Sequence, residues 1–456
     1  MIKDVRRAIA LFAILFACLT APAQAGDTDG RRAAPFRIPP RGKAEKLTGD
    51  IEYSGPSAFA FDSRNRPYFL HTFKNAADDE RPDLAGVVTT YRDGEWVRRS
   101  FASAIREEVG GEFEFQLYPH GIGSITVDAD DGLYVISQTT EGDFLVYSPD
   151  LGDSFQAYKL PTQDFCGGFV ETRTGHNLKS GPPAIGLLSA HGKKVCRWSR
   201  LSTLSIVVPE KKDGALLLEP VEVTRDCFGI SNHSGGYSFA ATVGKLTHFV
   251  YATYDPDVNG NPTWVATFDR TKKKVVARKH LFNAHPNKCD VHSTPVITVD
   301  SRDRLHVLGG AHGGPFLYAR SRKPNTIEGG WTKPRQMHRG QTYASLVCGP
   351  DDTLHSVYRI HPRLLHQSKP ATGAEWSRPQ VLARHPRDHS GYTIFYHQLG
   401  VDRAGRPYVC FTFRGDDHSG RYGRYPRAFI SSNDGGKTWH LVRTGDVRRR
   451  LIPEEG

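Results

Sequence analysis

The sequence predicts an all-β protein, a seven-bladed β-propeller made of four-stranded antiparallel blades. Three observations carry this prediction. Turn formers are abundant, with 45 Gly and 29 Pro among 456 residues that are 38% hydrophobic, enough for a large core without a helical scaffold. Short strand–turn–strand units recur at roughly fifty-residue spacing. Between them lie turns of the form S-x-D-x-G-x-[ST]-[WF]. A single four-stranded unit cannot bury both of its faces, and stacking seven of them radially into a closed ring solves that problem.

Taken in order, the chain opens with MIKDVRR, the apolar AIALFAILFACLT, and APAQA, a small-x-small pattern before Gly26. This reads as a secretory signal peptide cleaved after Ala25, which makes the mature chain secreted or periplasmic. Leu15 to Cys18 loosely resembles a lipoprotein box, but Phe16 fits it badly, so a lipid anchor at Cys18 is the less favoured alternative. No later stretch is long and apolar enough to span a membrane. Residues 26–46, polar and rich in Pro and Arg, read as a disordered lead-in, and 47–456 as one propeller domain.

Seven inner hairpins follow: SGPSAFAFDSRNRPYFLH, HGIGSITVDADDGLYVIS, PPAIGLLSAHGKKVCRWS, HSGGYSFAATVGKLTHFVYATY, the run from Asp290 to Ser321, QTYASLVCGPDDTLHSVYR and YTIFYHQLGVDRAGRPYVCFTF. Each joins two runs of β-branched and aromatic residues through a polar, Gly- or Asp-bearing turn. The third is the least regular. Ser148 to Phe155 (SPDLGDSF) and Ser432 to Trp439 (SNDGGKTW) match the Asp-box turn, and Asp93–Trp96, Gly329–Thr332 and Gly373–Ser377 look like degenerate copies. Apart from Cys18, six cysteines stand at wide, irregular spacing without a CxxC, so neither a disulfide framework nor a zinc motif is legible. Cys166, Cys196 and Cys227 are near enough in sequence for a bridge; Cys289, Cys348 and Cys410 read as buried strand residues.

Where each hairpin folds back decides which side chains meet. Turning at Arg302 sets His292 opposite His312, and turning at Asp351 sets Tyr343 opposite Arg359, at the roughly 5 Å spacing of facing residues. A turn between Val243 and Gly244 sets His233 opposite Tyr254. His120 falls near Thr139, and the last hairpin brings Tyr392, Tyr396 and His397 to the same rim, with Arg414 on the return strand. The result is a funnel of His, Tyr and Arg around one mouth of the central channel. Each of these residues also has a bland reading as a core histidine, a half-buried aromatic or a surface arginine; Arg414 could simply pair with Asp416 or Asp417.

The formal charge of +11, from 60 Lys and Arg against 49 Asp and Glu, suits an acidic partner. The basic residues are spread and no nucleic-acid motif accompanies them, which sets nucleic acid aside. An anionic surface and an acidic polysaccharide remain, beside the plain reading of a basic surface with no specific partner.

The pattern of Asp290, His292, Pro295, Arg304 to Val307 and His312, followed by Thr342, Tyr343 and Leu354 to Arg359, resembles the sialidase-like BNR-repeat family that includes the propeller ulvan lyases. The likeness covers about the last half of the chain; the earlier blades agree only in architecture. It implies eliminative cleavage of a uronate-containing polysaccharide. His292, His312, Tyr343 and Arg359 would take the catalytic places, with Tyr396 as a fifth position. It also implies a structural metal, zinc or calcium, whose ligands no motif identifies. The chemistry itself requires no cofactor, and nothing in the sequence argues against a monomer.

The residue types suit that chemistry on their own terms. β-Elimination needs a base for the C5 proton, a cation on the carboxylate and an acid for the departing C4 oxygen. Arg359 can hold a carboxylate bidentately, and neutral His292 is a suitable base. Tyr343 can serve as the acid, or as the base if ionised, with His312 orienting or sharing the proton. His233, Tyr254, Tyr396, His120 and Arg414 would bind the chain. Two other classes compete: a sialidase-like hydrolase, suggested by the Asp boxes and by Phe36 to Pro39, and a carbohydrate-binding propeller without activity. A hydrolase of that kind would call for carboxylates at a rim where Glu is scarce.

Overall fold

In a computed structural model the described residues are 36–37, 58–71, 86–115, 124–162, 168–196, 199–227, 238–284, 292–310, 313–386, 393–413 and 427–453. Seven four-stranded antiparallel sheets form the blades of a propeller. From blade 1 to blade 7 the innermost strands are Phe59–Phe61, Ser124–Val127, Gly168–Val170, Ala240–Val243, Val296–Val299, Thr342–Cys348 and Ile394–Val401. The outermost are Glu95–Ser100, Gln156–Lys159, Pro220–Cys227, Lys274–Ala284, Arg335–Gln336, Gln380–Arg384 and His440–Leu441.

Burial follows position in the blade. The second strand of blade 2, Leu133–Thr139, is buried at every residue because a neighbouring blade covers each face, whereas the outer strand Glu95–Ser100 has no fully buried residue. Seven apolar clusters occupy the described core, one across each seam between neighbouring blades. The seam between blades 7 and 1 is aromatic: Phe429 lies 5.1 Å from Phe59, 5.0 Å from Phe69 and 5.1 Å from Tyr408. Ring closure therefore rests on the same kind of packing as every other seam.

At the end of the innermost strand an Asp organises the turn. Asp62, Asp128, Asp300 and Asp402 each accept the amides two and four residues on. The other carboxylate oxygen takes the hydroxyl of Tyr68, Tyr134 or Tyr408, or meets the His306 ring, six residues on. The third residue after each Asp, namely Asn65, Asp131, Asp303 or Gly405, has positive φ, which Asn, Asp and Gly tolerate best. The same turns link blades, since Ser63 donates to Asp131 and Ser301 to Asp352.

Both full Asp boxes sit between third and fourth strands as expected. Ser148 Oγ accepts the Gly152 amide while Asp150 takes the amide and hydroxyl of Ser154; Ser432, Asp434, Gly436 and Thr438 repeat the pattern. These hydrogen bonds outweigh the cost of burial and hold both carboxyls below their ordinary range.

Four features depart from the sequence reading. In blade 3 the stretch Ile185–Cys196 is one long second strand, and Gly168–Val170 is the inner strand. The residues joining them, 171–184, replace the short Asp turn with a plug across the far end of the channel. There Thr174 bonds both main-chain groups of Val401, and Asn177 bonds Ala240 and Thr242. Gly175 is required at its place: φ is 56°, and a Cβ would lie 1.9 Å from the Cys348 carbonyl oxygen. In blade 4, Val243 faces Leu246, so the hairpin turns at Gly244–Lys245 and the register differs by two residues from the one that set His233 against Tyr254. Within the expected lead-in, Phe36–Arg37 form a parallel strand on the outer edge of blade 6, with Phe36 5.8 Å from Phe411 and 5.9 Å from Phe413. Its phenyl ring finds apolar cover between blades 6 and 7, which outweighs the polar composition around it. Finally, two α-helices appear among the described residues, α1 (Ala102–Val109) and α2 (Thr444–Arg450). The second straps the ring shut: Trp96 Nε1 donates to Thr444 Oγ1 at 3.0 Å, Arg448 to the Tyr91 hydroxyl at 3.1 Å, and Ile452 N to Arg64 O at 3.0 Å.

Cys348 and Cys410 are buried strand residues, as read, and Cys227 is buried at the end of the outer strand of blade 3. Cys166 and Cys289 lie outside the described residues, as do residues 1–25, where a signal peptide was expected, and Cys18 within them. No helix among the described residues is long and apolar enough to cross a membrane.

Two outcomes are expected. Gln398 closes the ring by accepting from Phe59 N at 2.9 Å and donating to Phe59 O at 3.1 Å. Gln398→Leu strands both buried main-chain groups and lowers stability by about 2–4 kcal/mol, read as a lower thermal midpoint. Blades 6 and 7 also bury neutral histidines. Burial holds His355 at about 4 and His397 at about 4, and burial together with the neighbouring His355 keeps His366 well below its usual value. Unfolded, each titrates at roughly 6.5, so the unfolded chain binds protons that the native one does not. Stability is full above roughly pH 6.5 and is lost as pH falls toward about 4. The midpoint should drop by several degrees from about pH 7.5 to about pH 5 and depend less on pH in His366→Phe; a flat profile in the parent protein would contradict the assignment.

Candidate functional site

The starts of the innermost strands and the ends of the second strands share one rim. His292 leads into the inner strand of blade 5, Tyr343 is the second residue of the inner strand of blade 6, and Arg359 is the penultimate residue of its second strand, Thr353–Ile360. These three come together. The Arg359 guanidinium stacks on the Tyr343 ring, 4.4 Å from its centroid, and the His292 ring lies 5.8 Å from the same ring. Tyr343 is fully buried, and His292 and Arg359 are 9% and 8% exposed. The expected open funnel is thus a covered cluster, which strengthens every electrostatic interaction inside it.

The pairing of Tyr343 with Arg359 is achieved differently from the expected face-to-face register. Blade 6 keeps that register from Cys348–Leu354 to Ser345–Val357, then slips at a bulge so that Thr342 faces Arg359. Tyr343, the bulged residue, has φ of 62°. Blade 7 repeats this device: Tyr396, φ 51°, stands in a bulge between Phe395 and Gln398. A left-handed tyrosine costs about 1–2 kcal/mol, so two at equivalent places mark a constraint on where the rings must point.

Neighbours the sequence reading missed set Arg359 and Tyr343 in place. Arg359 Nη1 donates to Ile394 O at 3.0 Å, reaching the inner strand of blade 7. Gly313 N donates to Gln341 O at 2.9 Å and approaches Thr342 Oγ1 at 3.2 Å, so Gly313 is pinned against the start of the strand that carries Tyr343. His397, expected at the rim, is instead fully buried, and its ring meets Val357 O at 3.1 Å. Consecutive residues at a bulge diverge, and the ring of His397 goes to the seam between blades. The recurring T-Y and F-Y at the start of two inner strands was the one signal that could have located the bulges.

The other expected residues are placed as follows. Tyr396 is 7% exposed on blade 7. Tyr254 is half-buried, with its amide donating to Asp226 O at 3.3 Å on the outer strand of blade 3. His312, His233, His120 and Arg414 lie outside the described residues. The one group of three metal-ligating side chains among the described residues, His176, Cys348 and Asp352, is at the opposite end of the channel and includes none of the cluster.

No curated protein matches the sequence. Several solved structures resemble the fold, all at low identity. The polysaccharide lyase Uly1 is 11% identical with a TM-score of 0.34, over 46% of this chain and 55% of that one. The Hadza microbial sialidase Hz136 is 11% identical with a TM-score of 0.42, over 72% and 71%. The GH93 α-L-arabinofuranosidase of Fusarium graminearum is 13% identical with a TM-score of 0.42, over 70% and 96%. Residues 262–449, a stretch holding His292, Tyr343, Arg359 and Tyr396, match the family described as BNR repeat-containing family member, in line with the sialidase-like BNR-repeat resemblance read from the sequence.

Proposed function

We propose that this protein is an exported polysaccharide lyase that cleaves an acidic, uronate-containing polysaccharide of the ulvan type by β-elimination. The observation that carries this reading is the covered cluster in which the Arg359 guanidinium and the His292 ring both lie against the Tyr343 ring. An elimination needs just these groups: a cation, a base and a second proton carrier within one sugar's reach.

In this reading the uronate carboxylate meets Arg359, whose fixed charge stabilises the enolate-like state formed when C5 loses its proton. His292 takes that proton. The C4–O bond then breaks, the C4=C5 double bond forms, and the departing oxygen receives a proton from Tyr343, with His312 orienting or sharing it. Anchoring of Arg359 on Ile394 O and on the Tyr343 ring removes most of the entropy of fixing a long side chain before substrate arrives. Tyr396, His233, Tyr254, His120 and Arg414 would contact neighbouring sugars. The net charge of +11 favours encounter with a polyanion.

The assay is ultraviolet absorbance over time with the purified protein and a panel of acidic polysaccharides, ulvan first, then uronate-rich gums, pectins and glycosaminoglycans. A rise marks the unsaturated uronate. New reducing ends without absorbance would point to a hydrolase, and binding without either product to a carbohydrate-binding propeller. His292→Ala and Arg359→Lys should each lower turnover by at least about 100-fold, the lysine variant because it keeps charge but loses the planar fork. Tyr343→Phe keeps the ring under Arg359, so it should fold normally, leave KM within a few-fold and reduce kcat; parental kcat in that variant would remove Tyr343 from the chemistry.

A further inference from the structure

Five residues beyond Tyr343 the same inner strand of blade 6 ends at Cys348, about 17 Å away at the other mouth of the channel. The plug from blade 3 meets it there. His176 Nε2 of the plug lies 2.9 Å from Asp352 Oδ1, and the Sγ of Cys348 completes a group whose ligand atoms all fall within 4.8 Å of one another. The close approach of His176 and Asp352 lacks the alignment of a hydrogen bond: Nε2 is buried and makes none among the described residues. A ring nitrogen without a hydrogen bond, a buried thiol and a carboxylate oxygen thus converge on one point.

The supports around the three groups are rigid. His176 stands between Thr174, which bonds the main chain of Val401 twice, and Asn177, which bonds Ala240 and Thr242. Gly175 presses against the Cys348 carbonyl. Asp352 takes the amide and hydroxyl of Ser301 from blade 5, which orients it as a carboxylate ligand is usually oriented. Outer contacts of this kind are what a metal site needs before the metal arrives.

We propose that His176, Cys348 and Asp352 bind one zinc-type divalent ion that staples the plug of blade 3 to blade 6. One sulfur, one nitrogen and one oxygen suit tetrahedral zinc with water as the fourth ligand, whereas calcium would call for an all-oxygen set. On binding, Cys348 gives up its thiol proton to solvent as the sulfur–metal bond forms. The ion ties an internal loop to a blade, so its role is to hold the channel closed at this end. The proposal is independent of the lyase reading, whose cluster lies at the opposite rim.

The test uses the full chain, stripped with a chelator, reloaded with zinc or cobalt(II), and gel-filtered. About one equivalent should be retained, and the cobalt form should show a thiolate charge-transfer band in the near ultraviolet. Cys348→Ser should abolish that band, and His176→Ala, a partly exposed position, should weaken cobalt affinity by at least ~100-fold while circular dichroism stays unchanged. Chelator should lower the thermal midpoint of the parent protein by several degrees and leave that of His176→Ala where it is. No retained metal, or retention and spectrum unaffected by His176→Ala, would overturn the proposal, the latter by assigning the ion to other ligands. Lyase activity plays no part in either outcome.

Discussion

An innermost strand of a propeller has no strand on its channel side, so its main-chain groups on that edge must find partners elsewhere. This protein supplies them from side chains of neighbouring blades. Ser124 takes the amide of Val170, Thr298 that of Cys348, and Gln398 both main-chain groups of Phe59. Each bond spans one seam. Apolar packing between blades is non-directional and would tolerate sliding; these bonds fix the angular register of one blade on the next.

The candidate site depends on the same constraint. Arg359 reaches the carbonyl of Ile394 and His397 that of Val357, two more main-chain groups at the seam between blades 6 and 7. An arginine free in solvent would sample many rotamers. Bonded to Ile394 and stacked on Tyr343, it presents its charge in one direction from a nearly water-free place, where that charge acts most strongly. The bulges at Tyr343 and Tyr396 break the ladder where the strand meets the rim, and the strain of a left-handed tyrosine is repaid by the packing around it.

The two ends of the channel serve different purposes because the connections differ. At the rim carrying Tyr343, inner strands begin and second strands end, so side chains from two positions of each blade converge. At the other end short turns close the hairpins, those of blades 1, 2, 5 and 7 around an Asp, except in blade 3, where residues 171–184 reach across to blades 4, 6 and 7. One strand, Thr342–Cys348, therefore takes part in the candidate site at its start and meets the plug at its finish.

The sequence by itself determined the fold class. The repeated hairpins, the Asp turns and both Asp boxes are local in the chain, and local hydrogen bonding forms them wherever those residues occur. It also identified His292, Tyr343 and Arg359 as neighbours, since hairpin register follows from the turn. Long-range matters were decided by tertiary structure. The slip that puts Thr342 rather than Tyr343 opposite Arg359 arises because blade 7 offers Ile394 as a partner, and no pattern within blade 6 records that. The inner strand of blade 3 was hidden because Gly168–Val170 is only three residues long and is separated from its partner by a plug held in place by bonds to other blades. Phe36 was misread for the same reason: its polar surroundings speak of a free segment, and only the groove between blades 6 and 7 makes its burial favourable. Whatever a residue owes to a neighbour a few places away could be read in the chain; what it owes to another blade became visible only when the ring closed.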